Sequence, residues 1–377
     1  MAHLYVLIML ASFSSVSSLI QQSGDLLRHL VIDMQGASHE GIDSQDLPRA
    51  RCKGAEAIVD GVHTIEFDGL LRRYDILKPV DYVSGETRDV LLLFHAFGGS
   101  PSSILSPFST LADLPDGPIL VAPEGFSVQI AGQTVLPAGF NGAGSSMGIG
   151  PEGETCHPTA IPYPCHSESC GQSCHRCAWT SCADDVGFVL AVLDVVESSL
   201  CAQHHRVFAT GFSGGGQFIF ELATDPRSSA RLTAVAPLHG LPHRGFLRHA
   251  PSGDQPRFIG IWGGINSTFQ DRAYPPLSTP GQDPDTSLDS LFSFMPRGNG
   301  WYFSTARNTT AFWGQHVDCA AASSKQNDSA EESVQTFSES LSCTSFCGGR
   351  VVECLRSTNE HSLAAFYPST VWDFFVN

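Results

Sequence analysis

The stretch Val207-Phe208-Ala209-Thr210-Gly211-Phe212-Ser213-Gly214-Gly215-Gly216 constrains the fold more than any other part of the chain. An apolar run ends in Gly-x-Ser-x-Gly, and a helical pattern follows. This order predicts a strand, a sharp turn and a helix, with the serine strained into view above the end of a sheet. Gly211 and Gly215 remove side chains that would collide with the neighbouring helix and strand. The bare pattern is unspecific; its strand-turn-helix setting is what makes Ser213 a candidate nucleophile, once a base can take its proton.

The rest of the chain supplies the sheet. His63–Gly69 reads as a strand running into a turn, and Arg73–Pro79 as its partner. Asp89–His95 and Gly117–Pro123 are continuous apolar runs, the pattern of parallel strands covered on both faces. Acids open a helix over Asp184–Val196. Strands are expected at 206–210, 232–237 and 257–262, a helix around 300–313, a last strand at 350–355 and a last helix at 370–375. Alternating strands and helices predict an α/β protein with a doubly wound, mostly parallel sheet.

Twelve cysteines bear on compartment and architecture. Cys156, Cys165, Cys170, Cys174, Cys177 and Cys182 crowd one segment, and Cys319, Cys343, Cys347 and Cys354 another. In an oxidising compartment these form disulfides, whose pairing spacing alone does not reveal. Zinc is the rival reading, since Cys174-His175-Arg176-Cys177 is a CxxC with His157 and His166 nearby. The gaps are irregular and there is one clear CxxC, so disulfides are favoured and no metal or other cofactor is expected.

Leu4–Ala11 has the length of a signal-peptide core and is too short to span a bilayer; Val16-Ser17-Ser18 offers small residues for cleavage. Sequons begin at Asn266, Asn308 and Asn327. An extracellular protein is expected, with no membrane insertion after signal cleavage. The net charge of -17, with only three lysines, argues against nucleic acid and anionic membranes as partners. The expected plan is a signal peptide over 1–18, a variable lead-in over 19–55 and one catalytic domain over 56–377. Within it, residues 140–182 read as a Cys-rich loop insertion and 320–345 as a polar surface loop.

Around Ser213 the other parts of an acyl-transfer site can be assigned. His361 lies after the final strand and one loop before the last helix, where the base of such a site belongs. His239, after the strand ending at Pro237, is its competitor and is placed on the substrate cleft. The oxyanion needs backbone N–H donors: Gly214 after the nucleophile, and Phe97 or Ala96 in the loop His95-Ala96-Phe97-Gly98-Gly99. The acid should follow the strand 258–262, but Gly263-Gly264-Ile265 leads to Asn266, with Asp271 further on. Phe140, Trp301 and Tyr302 could line an aromatic cleft or belong to the core.

The ordered set Arg73-Tyr74 with Pro79, His95–Gly99, Ala122–Gly125, Asp184–Phe188, Arg206–Gly215, Gly300-Trp301-Tyr302 and Cys354–His361 resembles secreted esterases of the polyhydroxybutyrate depolymerase-like and feruloyl or acetylxylan esterase-like group. The resemblance runs from about residue 60 to the C-terminus. It implies an α/β-hydrolase fold, an extracellular setting and ester hydrolysis, with Ser213 as nucleophile and His361 as base. The implied substrate is a feruloylated or acetylated polysaccharide, or a polyester. The departure is at the acid, where such enzymes carry Gly-Thr-x-Asp. Asn266 holds the imidazole, Asp271 reaches in, or activity is lost; all three readings stay open. The alternative to an esterase is a secreted pseudoenzyme that binds cell-wall or storage polymer. A serine peptidase of the same fold is a minor third.

Overall fold

The structure, a computed structural model, describes residues 59–84, 86–130, 133–156, 158, 167–171, 175–200, 206–247, 256–263, 301–317, 333–338, 341–357 and 361–377. All of these belong to one unit, Ala50–Asn377. The expected signal peptide and lead-in lie outside the described residues.

Its centre is a ten-stranded sheet. β1 (Gly61–Phe67) and β2 (Leu70–Leu77) form an antiparallel hairpin. Its two-residue turn, Asp68-Gly69, has both residues at positive φ (51° and 72°), the turn whose twist matches paired strands. Next come β3 (Val90–Phe94), β4 (Ile119–Pro123), a side hairpin of β5 (Phe126–Ile130) and β6 (Gln133–Gly139), and a short one of β7 (Ile149–Gly150) and β8 (Gly153–Glu154). β9 (Val207–Phe212), β10 (Ala234–Leu238), β11 (Arg257–Gly263), β12 (Ser333–Ser338), β13 (Leu341–Phe346) and β14 (Val351–Arg356) complete the set. The strand order in the main sheet is β1-β2-β4-β3-β9-β10-β11-β14-β13-β12. The run from β4 to β14 is parallel, and antiparallel strands close both edges.

The helices are α1 (Pro101–Phe108), α2 (Ser167–Cys170), α3 (Asp185–Leu200), α4 (Gly214–Thr224), α5 (Ala306–His316) and α6 (Tyr367–Val376). They explain the apolar runs. Val90, Leu92 and Phe94 of β3 join one core cluster, with Phe188, Val192 and Phe218 from α3 and α4. Leu91 and Leu93 join the opposite one, with Phe108, Val371 and Phe375 from α1 and α6. A strand buried on both faces has no polar side to show, and each fully buried side chain contributes about 1.5–3 kcal/mol. A mostly parallel, doubly wound sheet with a serine elbow between β9 and α4 is the α/β-hydrolase fold.

One expectation needs correction, and one open alternative is decided. Residues 320–345 are not a loop throughout: β12 and β13 pair antiparallel and extend the sheet beyond β14. Leu341 and Cys343 alternate inward along β13, and Cys343 is bonded to its register partner Cys354 on β14. Cross-strand pairing overrides the low apolar content of this Ser-rich segment. Phe140 and Trp301 belong to the core, at 2% and 6% exposure. Phe140 packs on Phe94 and Phe218, and the Trp301 indole donates to the Cys177 carbonyl.

In the Cys-rich insertion, Cys156 is bonded to Cys177 and Cys170 to Cys182. Cys177 is thus a disulfide partner rather than half of a zinc knuckle; Cys165 and Cys174 lie outside the described residues. Among the described residues no helix is long and apolar enough to cross a membrane.

Candidate active site

The β9–α4 elbow carries Ser213 at φ 55° and ψ -115°, a conformation that costs a non-glycine residue on the order of 1–3 kcal/mol. Its neighbours enforce it. The Ser213 N–H donates to the Leu238 carbonyl, and the Ser213 carbonyl accepts from Gln217 N–H in the first turn of α4. A Cβ on Gly215 would stand 2.2 Å from the Phe94 carbonyl oxygen, and one on Gly240 2.1 Å from the Ser213 carbonyl oxygen. Neither distance is sterically possible, so both positions require glycine.

His361 follows β14 and comes to Ser213 across 148 residues of sequence, with Nε2 2.9 Å from Oγ. Its ring lies on Phe212 (4.9 Å between centroids). This is hydrogen-bond distance for proton transfer between a serine and an imidazole.

His239 does not line the cleft. It is fully buried behind His361, its ring perpendicular to that imidazole at 5.7 Å, and its Nε2 is 2.5 Å from the Tyr367 hydroxyl. The left-handed backbone of His239 (φ 52°) and its N–H bond to the Ile261 carbonyl turn the side chain back toward α6.

The loop after β3 brings a second backbone amide beside the elbow. The Phe97 backbone nitrogen lies 3.1 Å from where a Cβ on Gly214 would stand, so the Phe97 and Gly214 amides are neighbours. The Ala96 carbonyl is turned the other way and accepts from Gly99 N–H (2.8 Å) and from His95 Nδ1 (2.7 Å). Of the two sequence candidates, Phe97 therefore sits at the elbow, and Ala96 shapes the turn behind it.

His95 is fully buried. The Gly125 N–H donates to its Nε2 at 2.9 Å, which leaves the ring proton on Nδ1, facing Ala96. Burial lowers its pKa to about 4. His95 thus stays a neutral strut joining the loop after β3 to the loop after β4.

A second neutral histidine stands on the other side of that loop. The Trp179 indole packs edge-on against Phe97 (5.1 Å) and donates to His243 Nε2 (2.9 Å). His243 donates from Nδ1 to the Tyr302 carbonyl, and burial lowers its pKa to about 4. Sequence did not single out Trp179 or His243. The one available cue for Trp179 was an aromatic residue inside the disulfide-tied segment.

Both histidines have folded pKa values below the ordinary 6.5. The unfolded chain therefore binds more protons between these values, and stability is lost as pH falls from about 6.5 through 4. The slope contributed by each group reaches about 1.4 kcal/mol per pH unit. The thermal midpoint of His243→Gln is expected to fall less steeply with acidification than that of the wild type. Equal slopes would refute the assignment of His243 as a buried neutral group.

The two candidates for the third member, Asn266 and Asp271, lie outside the described residues. β11 and β14 are parallel neighbours, with Gly263 opposite Arg356.

No family model matches the chain. It is 37% identical over 81 residues to the probable feruloyl esterase C of Aspergillus niger, a stretch that is 21% of this chain and 28% of that relative's length. Among solved structures it is similar to an acetyl xylan esterase from Aspergillus awamori, at 12% identity over 84% of this chain and 99% of that one, with a TM-score of 0.49. It is also similar to LpqC, a poly(3-hydroxybutyrate) depolymerase from Bordetella parapertussis, at 15% identity over 60% and 71% of the two chains, with a TM-score of 0.33.

Proposed function

We propose that the chain is a secreted serine carboxylic-ester hydrolase acting on an esterified extracellular polymer. The observation that carries this reading is the 2.9 Å approach of His361 Nε2 to Ser213 Oγ at a strained elbow flanked by the Phe97 amide. His361 takes the Oγ proton as Oγ attacks the ester carbonyl. The developing oxyanion is held by the N–H groups of Gly214 and Phe97. Collapse breaks the bond to the alcohol oxygen, which leaves with the proton from His361. Water then gives a proton to His361 as it attacks the acyl carbonyl, and collapse breaks the acyl bond to Ser213 Oγ, which takes that proton back from His361 as the acid leaves. Every step uses groups of the protein and water, so the reaction needs no cofactor. Disulfides in the Cys-rich segment and at β13–β14 support an oxidising, extracellular setting.

The polymer is assigned by analogy with the relatives' printed activities: a feruloylated or acetylated polysaccharide, or a polyhydroxyalkanoate-type polyester. One feature favours a second reading, a polymer-binding pseudoenzyme: Asn266 stands where an Asp is expected.

The deciding experiment treats the protein with a fluorophosphonate, maps the adduct by mass spectrometry, and assays short p-nitrophenyl esters and methyl ferulate. One label on the Ser213 peptide, with hydrolysis lost in proportion, is expected. A folded protein that takes no label and cleaves no ester would replace the esterase reading by the binding one.

A further inference from the structure

We infer that Trp179 is a specificity-determining residue that limits the size of the acyl group, and that the disulfide-tied insertion exists at this point to hold it. The inference rests on the esterase reading above and names the side of the substrate that the insertion sorts.

The argument begins with where the indole stands. Its Cη2 atom lies 3.4 Å from the place a Cβ on Gly214 would occupy, and its edge packs on Phe97. Trp179 therefore packs on Phe97 and faces the open space beside Gly214, the two residues whose amides flank the elbow. It is only 7% exposed, and its single polar atom is satisfied by His243. A buried indole with its N–H tied down is a rigid wall, since neither ring flip nor tilt can occur without breaking that bond.

The corner of the reaction it walls follows from the chemistry. The tetrahedral carbon carries four groups. One is Ser213 Oγ, and the second is the oxyanion, directed at the Phe97 and Gly214 amides. The third is the leaving oxygen, which must face His361 Nε2 because it takes its proton there. The acyl chain is left with the remaining corner, away from His361. His361 stands on Phe212 and His239, at the ends of β9 and β10. Trp179 stands on Phe97, after β3, on the opposite side of β9. An acyl chain that grows from this carbon runs toward the side of β9 on which the indole stands, whereas an alcohol that grows from the leaving oxygen runs toward His361.

The flanks of Trp179 are pinned. Cys177, two residues before it, is bonded to Cys156, and Cys182, three residues after it, to Cys170. The Trp179 N–H donates to the Ser145 carbonyl, and the Thr180 hydroxyl is 2.6 Å from that of Ser145. These ties fix the wall against the oxyanion loop rather than leaving it on a mobile flap.

The test compares Trp179→Ala and Trp179→Phe with the wild type on two ester series. One is p-nitrophenyl acetate, butyrate and octanoate. The other is acetate esters of methyl, phenyl and naphthyl alcohols. Circular dichroism checks folding; phenylalanine keeps a ring on Phe97 if the alanine variant does not fold. The octanoate-to-acetate ratio of kcat/KM is expected to rise by about 10-fold or more in the alanine variant and less in the phenylalanine one, with the alcohol series unmoved. Unchanged acyl ratios in a folded variant, or a change confined to the alcohol series, overturn the inference while the esterase reading stands. A wild-type protein inert on both series overturns the esterase reading, and the inference with it.

Discussion

Ser213→Ala is expected to lower kcat on p-nitrophenyl acetate by a factor on the order of 10⁶ while leaving the folded protein intact, because the nucleophile and base act as one unit. His361→Ala should cost about as much. The double variant should be no worse than either, since once Oγ is gone a base has nothing to activate. What residual hydrolysis remains comes from the Phe97 and Gly214 donors and from binding. Losses that add would mean that the 2.9 Å contact between Ser213 and His361 is not the one that carries the reaction.

The same assay addresses the third group. Loss of the residue that orients the imidazole costs about 10⁴ in rate. One of Asn266→Ala and Asp271→Ala is therefore expected to fall by that amount and the other to stay near wild type. If neither falls while wild type is active, His361 is held by its packing on Phe212 and His239 and by groups other than these two.

The largest expected effect on stability lies away from the elbow. Asp185, at the start of α3, is buried, and its Oδ1 lies 2.5 Å from Arg72 Nη2 on β2. The other oxygen accepts from the Asn141 N–H, the guanidinium donates to the Glu124 carbonyl, and it sits 4.0 Å over the Phe188 ring. Sequence marks both Asp184 and Asp185 as helix-starting acids. The structure separates them. Asp184 accepts from Gly187 N–H in the first turn and pairs with Arg227 at the surface, whereas Asp185 turns inward.

Asp185→Ala leaves the Arg72 charge buried and unpaired, which costs about 3–5 kcal/mol. A drop of about 10 °C in the thermal midpoint is expected. Arg72→Met combined with Asp185→Leu should recover most of it, because the expensive state is one charge without the other. A single-variant loss under about 1 kcal/mol, measured by denaturant midpoints with the disulfides intact, would mean that water reaches the pair.

The parts of this protein that sequence determined are those encoded over short range. Val207–Gly216 announces its own turn, because the Gly-x-Ser-x-Gly run after an apolar strand is a local signature, even though distant neighbours such as Leu238 and Phe94 complete its enforcement. Asp89–His95 reads as a buried strand because a strand covered on both faces cannot show a polar side. The place of His361 after the last parallel strand followed from chain order alone.

Tertiary structure decided what depends on partners distant in sequence. Sequence left Phe97 and Ala96 open, and the turn of the Ala96 carbonyl toward His95 puts the Phe97 amide at the elbow. Chain order places His239 on the cleft, yet its backbone turns it onto Tyr367. β12 and β13 are strands because β14 offers an edge to pair with, a fact their own Ser-rich residues do not carry. Trp179 stands at the oxyanion loop because Cys177 and Cys182 found Cys156 and Cys170. Spacing does not encode that pairing; the packing of the folded chain selects it.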